Sequence, residues 1–295
     1  MPAIKLTYII PFHLGETSIH QCLKSIYSIG LDEDELEVIV VDDHSPCMAS
    51  EILSDTLREH KNMKVIRHET NKRQGGAKNT GIRAAQGEYI AFADQDDVVA
   101  TDNIKGVLDF AIQTKPDMLA CHYTVRYEND TTKTFGIKSG NGAILSGKAF
   151  CETCFDPSVN LAPWAYLYKR DFLFREAHPY EENVVMEDAD WIAWHLIHTD
   201  KIAILHTAIY CWCMNPHSIT HSQHYINRAD WIKIGYRKIR DAELYKDISE
   251  TFSLVMTNDG RFNIIGGMRK VWKVDNYLLF YRRLYPILPA LQKMS

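Results

Sequence analysis

Asp94, Asp96 and Asp97 fall within four consecutive positions. Carboxylates this close repel one another, and their ionised forms persist only where a cation or water compensates. A hard divalent cation is the natural partner. Mg²⁺ or Mn²⁺ takes oxygen ligands and is commonly held by one or two carboxylates plus substrate phosphates. The plainer alternative is a solvated acidic turn that caps the next helix. Asp42 and Asp43 form a second acidic pair. An aspartate there can accept from a base N–H or a ribose hydroxyl, or it can cap the helix that begins near Ala49, a task Ser45 could do equally well. Glu187, Asp188 and Asp190 form a third group, followed by Trp191 and Trp194. A carboxylate beside aromatic rings suits a general base acting on a hydroxyl held against a ring platform. The simpler reading, favoured by composition alone, is acidic charge at a helix N-terminus.

The segment Asn71-Lys72-Arg73-Gln74-Gly75-Gly76-Ala77-Lys78-Asn79 reads as a basic, glycine-containing turn entering a helix. Backbone N–H groups, the helix dipole and nearby cations suit an anion such as a diphosphate there. It is not a Walker loop, because the Gly-x4-Gly-Lys-Ser/Thr order is missing.

The elements that must position these groups follow from patterning. Residues 4–12 read as a buried strand stopped by Pro11, and 37–41 as a second, β-branched strand ending at Asp42-Asp43. Residues 17–29 carry apolar side chains at helical spacing; 49–60 read as a second helix and 63–67 as a third strand. A helix over 75–86 is broken by Gly87, and strand 89–93 ends at Asp94. Alternating strands and helices predict an α/β fold with a mostly parallel sheet flanked by helices. In such sheets ligands sit beyond the carboxyl ends of the strands. The polar clusters after residues 11, 41 and 93 all fall there, which predicts one shared site. Further on, 117–127, 162–170 and 202–210 read as strands, 131–146 as a hairpin, 171–175 as a helical turn and 187–198 as a helix. The chain turns helical from about residue 227.

With 295 residues, 46% hydrophobic and 24% charged, the composition is that of a globular protein. A net charge of −5 argues against bulk nucleic-acid binding. The sequence offers neither an apolar run long enough for a membrane span nor a signal-peptide layout, so a cytoplasmic location is expected. Seven cysteines, an odd number, fit reduced thiols better than a disulfide framework. The pairs Cys151/Cys154 and Cys211/Cys213 read as small buried hydrophobes rather than zinc ligands.

The ordered motifs resemble those of the family 2 glycosyltransferases, inverting enzymes with a GT-A fold, from Ile9 to about Thr220. Ile9-Ile10-Pro11-Phe12-His13 is similar to the family's opening strand, and Val40-Val41-Asp42-Asp43-His44-Ser45 to its Val-Asp-Asp-Gly-Ser motif. Gly76-Ala77-Lys78-Asn79-Thr80-Gly81 is similar to the Ala-Arg-Asn-x-Gly segment, and Gly87 to Asp97 to the Asp-x-Asp strand and turn. Trp164 to Arg170 and Glu187-Asp188 resemble the acceptor-side and base motifs. His13, His44 and Lys78 depart from the usual aromatic, glycine and arginine.

The resemblance implies a GT-A catalytic domain over residues 1–222, with a donor half to about residue 100 and an acceptor half beyond it. A helical C-terminal extension over 223–295 completes the expected organisation. It implies a nucleotide-diphosphate-sugar donor, UDP-linked by family frequency, and a glycan or lipid-linked acceptor. Pro11, His13 and Asp43, with Asp42 less directly, would surround the base. Lys78 and Asn79 would lie near the phosphates and Asp94 near the ribose or metal-bound phosphate. Asp96, with Asp94, would hold Mn²⁺ or Mg²⁺, His217 would add a metal or phosphate contact, and Asp188 would be the general base with Glu187 beside it. A binding protein that has lost catalysis is the alternative. Residues 261–295 hold seven basic side chains against the one acid Asp275, with aromatics interleaved. Such a tail can lie on the inner face of the plasma membrane or pack as a terminal helix with its basic side in water.

Overall fold

The computed structural model describes residues 4–154, 162–184 and 187–214, with two short paired strands, Val255–Met256 and Phe262–Asn263. His217, the basic tail and, apart from that strand pair, the expected helical extension over 223–295 lie outside the described residues. Among the described residues no helix is long and apolar enough to cross a membrane.

Four parallel strands build the first half of a ten-stranded sheet: β1 (Leu6–Phe12), β2 (Leu36–Asp42), β3 (Met63–Arg67) and β4 (Tyr89–Phe92), in the order β3-β2-β1-β4. All of β1 and β2 is buried, as expected where helices cover both faces of a sheet. Between them run α1 (Ile19–Tyr27), α2 (Ala49–Ile52), α3 (Ser54–Glu59) and α4 (Arg73–Ala84). The helix expected over 49–60 is thus two, parted at buried Leu53.

Pro11 does not stop β1; it pairs in register with Val41. The reason lies in which side its nitrogen faces. Ala93 N–H donates to the Ile9 carbonyl, so Ile9 faces β4. Pro11, two residues on, faces the same way, but β4 has ended at Phe92 opposite Ile9. The missing N–H falls where no partner strand runs.

The second half is mixed. After β5 (Val98–Val99) and α5 (Ile104–Thr114) come β6 (Met118–Arg126), β7 (Thr132–Phe135) and β8 (Ile144–Leu145). Then follow α6 (Gly147–Thr153), a 3₁₀ turn at Pro163–Ala165 and β9 (Tyr166–Lys169). The described run closes with α7 (Arg170–Glu176), α8 (Glu187–His198) and β10 (Ile202–Cys213). β9 lies antiparallel between β4 and β6, and β10 runs parallel to β6 and antiparallel to β5. The hairpin expected over 131–146 does not form. β7 pairs with β6 and β8 with β10, so the two strands join separate parts of the sheet.

Candidate active site

The polar strand ends do converge, at the carboxyl edge of β1, β2 and β4, and each is held by a specific contact. Asp42 is fully buried and spent on the scaffold. It accepts from Ser45 N–H at 2.8 Å and Ala49 N–H at 3.0 Å, and pairs with Arg67. Those contacts hold its carboxyl below the usual carboxylate range, against the burial that pushes it up. The capping role expected equally of Ser45 therefore falls to Asp42, while Ser45 Oγ accepts from Leu14 N–H at 3.3 Å. Asp43 behaves differently. His68 Nδ1 and Lys72 N–H both meet its Oδ1 at 2.8 Å, and among the described residues no hydrogen bond reaches Oδ2. Asp43 is the member of the pair with an acceptor oxygen to offer. His44 takes φ 61° in the left-handed region, which explains why glycine is usual at this position of the motif.

The glycine-rich segment is not a turn. Gly75 and Gly76 lie inside α4, buried, and the helix entry at Lys72 and Arg73 is already served by Asp43 and Asn71. Gly75, Lys78 and Asn79, at i, i+3 and i+4, share one helix face, and Tyr180, Glu181, Glu182 and Glu187 meet it. A Cβ at Gly75 would overlap the Glu181 carbonyl. Asn79 Nδ2 donates to the Tyr180 carbonyl at 2.9 Å, and Tyr180 N–H returns to Asn79 Oδ1 at 2.8 Å. Asn79 is therefore a clamp on the backbone that leads into α8. Gly81 presses on Ile9 and brings α4 close to β1.

This packing delivers Lys78 to the candidate base. Its ammonium is buried 3.1 Å from Glu187 Oε1 and 2.5 Å from Asp188 Oδ1, over the Tyr180 ring. Burial raises the Asp188 carboxyl to about 8, opposed by Lys78 and reinforced by Glu187, although 31% of the side chain remains exposed. Asp94 rises to about 6, again by burial, with Lys78 opposing and Asp96 and Glu187 reinforcing. Lys78 itself is held above the usual lysine range by the acids, against its own burial. These directions agree once the groups are counted. Three carboxylates share one ammonium, so Lys78 keeps its proton while the surplus negative charge draws in a further proton or cation.

Asp96 is exposed at the tip of the loop and Asp94 half-buried beside it. Among the described residues no three metal-capable side chains converge. Two hard carboxylates, one of them exposed, suit a divalent cation whose remaining ligands come from substrate phosphate or water. Asp97 is buried and turned away, accepting from Tyr210 Oη at 2.8 Å and Cys213 N–H at 2.7 Å.

Pro11 is buried in β1 and His13 exposed just beyond it. The Gln95 side chain reaches across from the acidic loop, accepting from His13 N–H at 2.9 Å and donating to the His13 carbonyl at 2.8 Å. Gly15 lies beneath it, and a Cβ there would make that amide shift. Trp191, read as a ring platform beside the base, is instead core. It is 1% exposed and stacked on Tyr180 with ring centres 4.3 Å apart. Sequence reasoning missed Gln95, His68 and Tyr210. Their side chains act across separations of 82, 25 and 113 residues, and no local pattern marks them.

Residues 7–172 match the Glycosyl transferase family 2 model. Over 222 residues the chain is 27% identical to the uncharacterized glycosyltransferase EpsJ of Bacillus subtilis (strain 168), covering 73% of this chain and 62% of that one. It is 24% identical over 241 residues to TarS, the poly(ribitol-phosphate) beta-N-acetylglucosaminyltransferase of Staphylococcus aureus (strain Mu50 / ATCC 700699), covering 78% of this chain and 39% of TarS. The crystal structure of S. aureus TarS 1-349 in complex with UDP-GlcNAc superposes with a TM-score of 0.66 at 21% identity, covering 81% of this chain and 66% of that one. The chain thus matches less than two thirds of the length of either curated relative. The fold is the GT-A arrangement seen in TarS, and the chain belongs to glycosyl transferase family 2.

Proposed function

We propose that this protein is an inverting, metal-dependent glycosyltransferase. It would move a sugar from a nucleotide-diphosphate donor, UDP-linked first among them, to a hydroxyl of a glycan or lipid-linked acceptor. The observation that carries the reading is the buried Lys78, which pairs with Glu187 and Asp188 at the start of α8 and feels the charge of Asp94 in the loop after β4. A carboxylate with a raised pKa suits proton transfer near neutral pH. Asp188 takes the proton of the acceptor hydroxyl as that oxygen attacks the anomeric carbon. Glu187 and Lys78 fix its orientation. Asp43 Oδ2 accepts from the base, and Pro11 and His13 flank it. Asp96 and Asp94 would hold Mn²⁺ or Mg²⁺, which when bound neutralises charge on the leaving diphosphate.

The test is a panel of nucleotide sugars, headed by UDP-GlcNAc because a TarS structure holds it, incubated with Mn²⁺ and candidate acceptors. Transfer or slow donor hydrolysis that disappears in Asp188→Asn supports the reading. Donor binding with neither activity would instead make this a nucleotide-sugar binding protein.

A further inference from the structure

The acidic loop is gripped from the far half of the molecule by one hydroxyl. Tyr210 Oη accepts from Asp94 N–H at 2.9 Å and donates to Asp97 Oδ2 at 2.8 Å. Asp97 N–H donates in turn to the Asp94 carbonyl at 3.1 Å, and Cys213 N–H fills Asp97 Oδ1 at 2.7 Å. Asp96 therefore rides on a turn whose two ends meet at a single atom. Tyr210 is 1% exposed and cannot swing away. Its ring stacks on Trp164, centres 4.5 Å apart and planes within 12°, and Tyr123 meets Trp164 edge-on at 4.6 Å. Its backbone is fixed by pairing with Val99, two residues past Asp97.

We infer that Tyr210 is a positioning residue for the metal-diphosphate loop. Placed in the acceptor half, it pre-sets the carboxylates of Asp94 and Asp96 before any ligand arrives. A loop already ordered loses less freedom when a cation binds, and outer partners that orient first ligands govern metal affinity. This rests on the functional reading above.

Isothermal titration of UDP across a series of Mn²⁺ concentrations tests it, using the full chain, Tyr210→Phe and a matched control, Tyr89→Phe. Tyr89 Oη also donates inside the core, to the carbonyls of Ala111 and Pro116, without touching the loop. In Tyr210→Phe the Mn²⁺ concentration for half-maximal UDP binding should rise about tenfold or more, and in Tyr89→Phe it should stay at the parent value. Equal Mn²⁺ dependence in Tyr210→Phe and Tyr89→Phe would overturn the inference. Absence of Mn²⁺-dependent UDP binding in the parent would overturn the functional reading instead. If Tyr210→Phe does not fold, Asp97→Asn opens the same bracket from its other side. It should show the same rise, and an unchanged Mn²⁺ dependence there would equally overturn the inference.

Discussion

At Lys78 one buried ammonium faces Glu187 and Asp188 and feels Asp94. Removing it leaves Glu187 buried without its cation and Asp188 beside it uncompensated. Lys78→Met should therefore lower unfolding free energy by about 3–5 kcal/mol, the usual cost of breaking a buried pair from one side, as read by urea denaturation. Asp188 predicts a pH signature. Its folded pKa of about 8 lies above the unfolded value of about 3.9. Between those values the folded state holds the extra proton, so this group's contribution to stability is lost as pH rises through the window. The thermal midpoint of Asp188→Asn, measured against the parent, should become steadily more favourable from about pH 4 to about pH 8. A constant difference would remove the raised carboxyl from the account. In the same variant turnover should fall by about 10²- to 10⁴-fold, with UDP affinity kept. His44 makes a purely conformational point. At φ 61° a branched side chain is strained, so His44→Val should cost about 1–2 kcal/mol, whereas His44→Gly should fold at least as well by thermal melting.

The element that does most for the site is α4. Its motif reads as a phosphate-binding turn because glycine pairs with basic residues at a helix entry. In the folded chain Gly75 instead admits the Glu181 backbone, and Gly81, further along the helix, admits the Ile9 side chain. Gly75→Ala should push Glu181 and Glu187 off the helix and cut turnover more than it weakens UDP binding, a split visible in steady-state kinetics beside calorimetry. Patterning located β1 to β4, β6, α8 and β10 because each is an apolar run or a periodic segment bounded by polar or glycine residues. It placed β3 and α8 with the ends observed. It missed β5, which has two residues and exists because β10 pairs with it. It also divided β7 and β8 wrongly, since two short strands near in sequence look like a hairpin whatever they pair with. Pro11 ended β1 on paper because a missing N–H matters only where a neighbouring strand would use it.

Across the whole molecule, the legible part of the site was its location: acidic residues at three strand or helix ends, all brought to one edge of the sheet. What each residue does there was less legible. Asp42 and Asp43 are adjacent and chemically identical, yet one is a cap and the other has an oxygen to offer. Partners distant in sequence, Ala49, Arg67 and His68, decide the difference. Lys78, expected near phosphate, pairs with Glu187 and Asp188, and Trp191, read as a ring platform, packs in the core, through contacts that exist only after folding. The account stands on Asp43, Asp94, Asp96 and Asp188 lining a single ligand, and a crystal structure with UDP and Mn²⁺ bound tests that most directly. It should show the base against Asp43 Oδ2, the cation about 2.0–2.2 Å from an Asp96 oxygen, and Asp188 facing the end of the diphosphate. UDP bound elsewhere, or a cation that ignores Asp96, would contradict it.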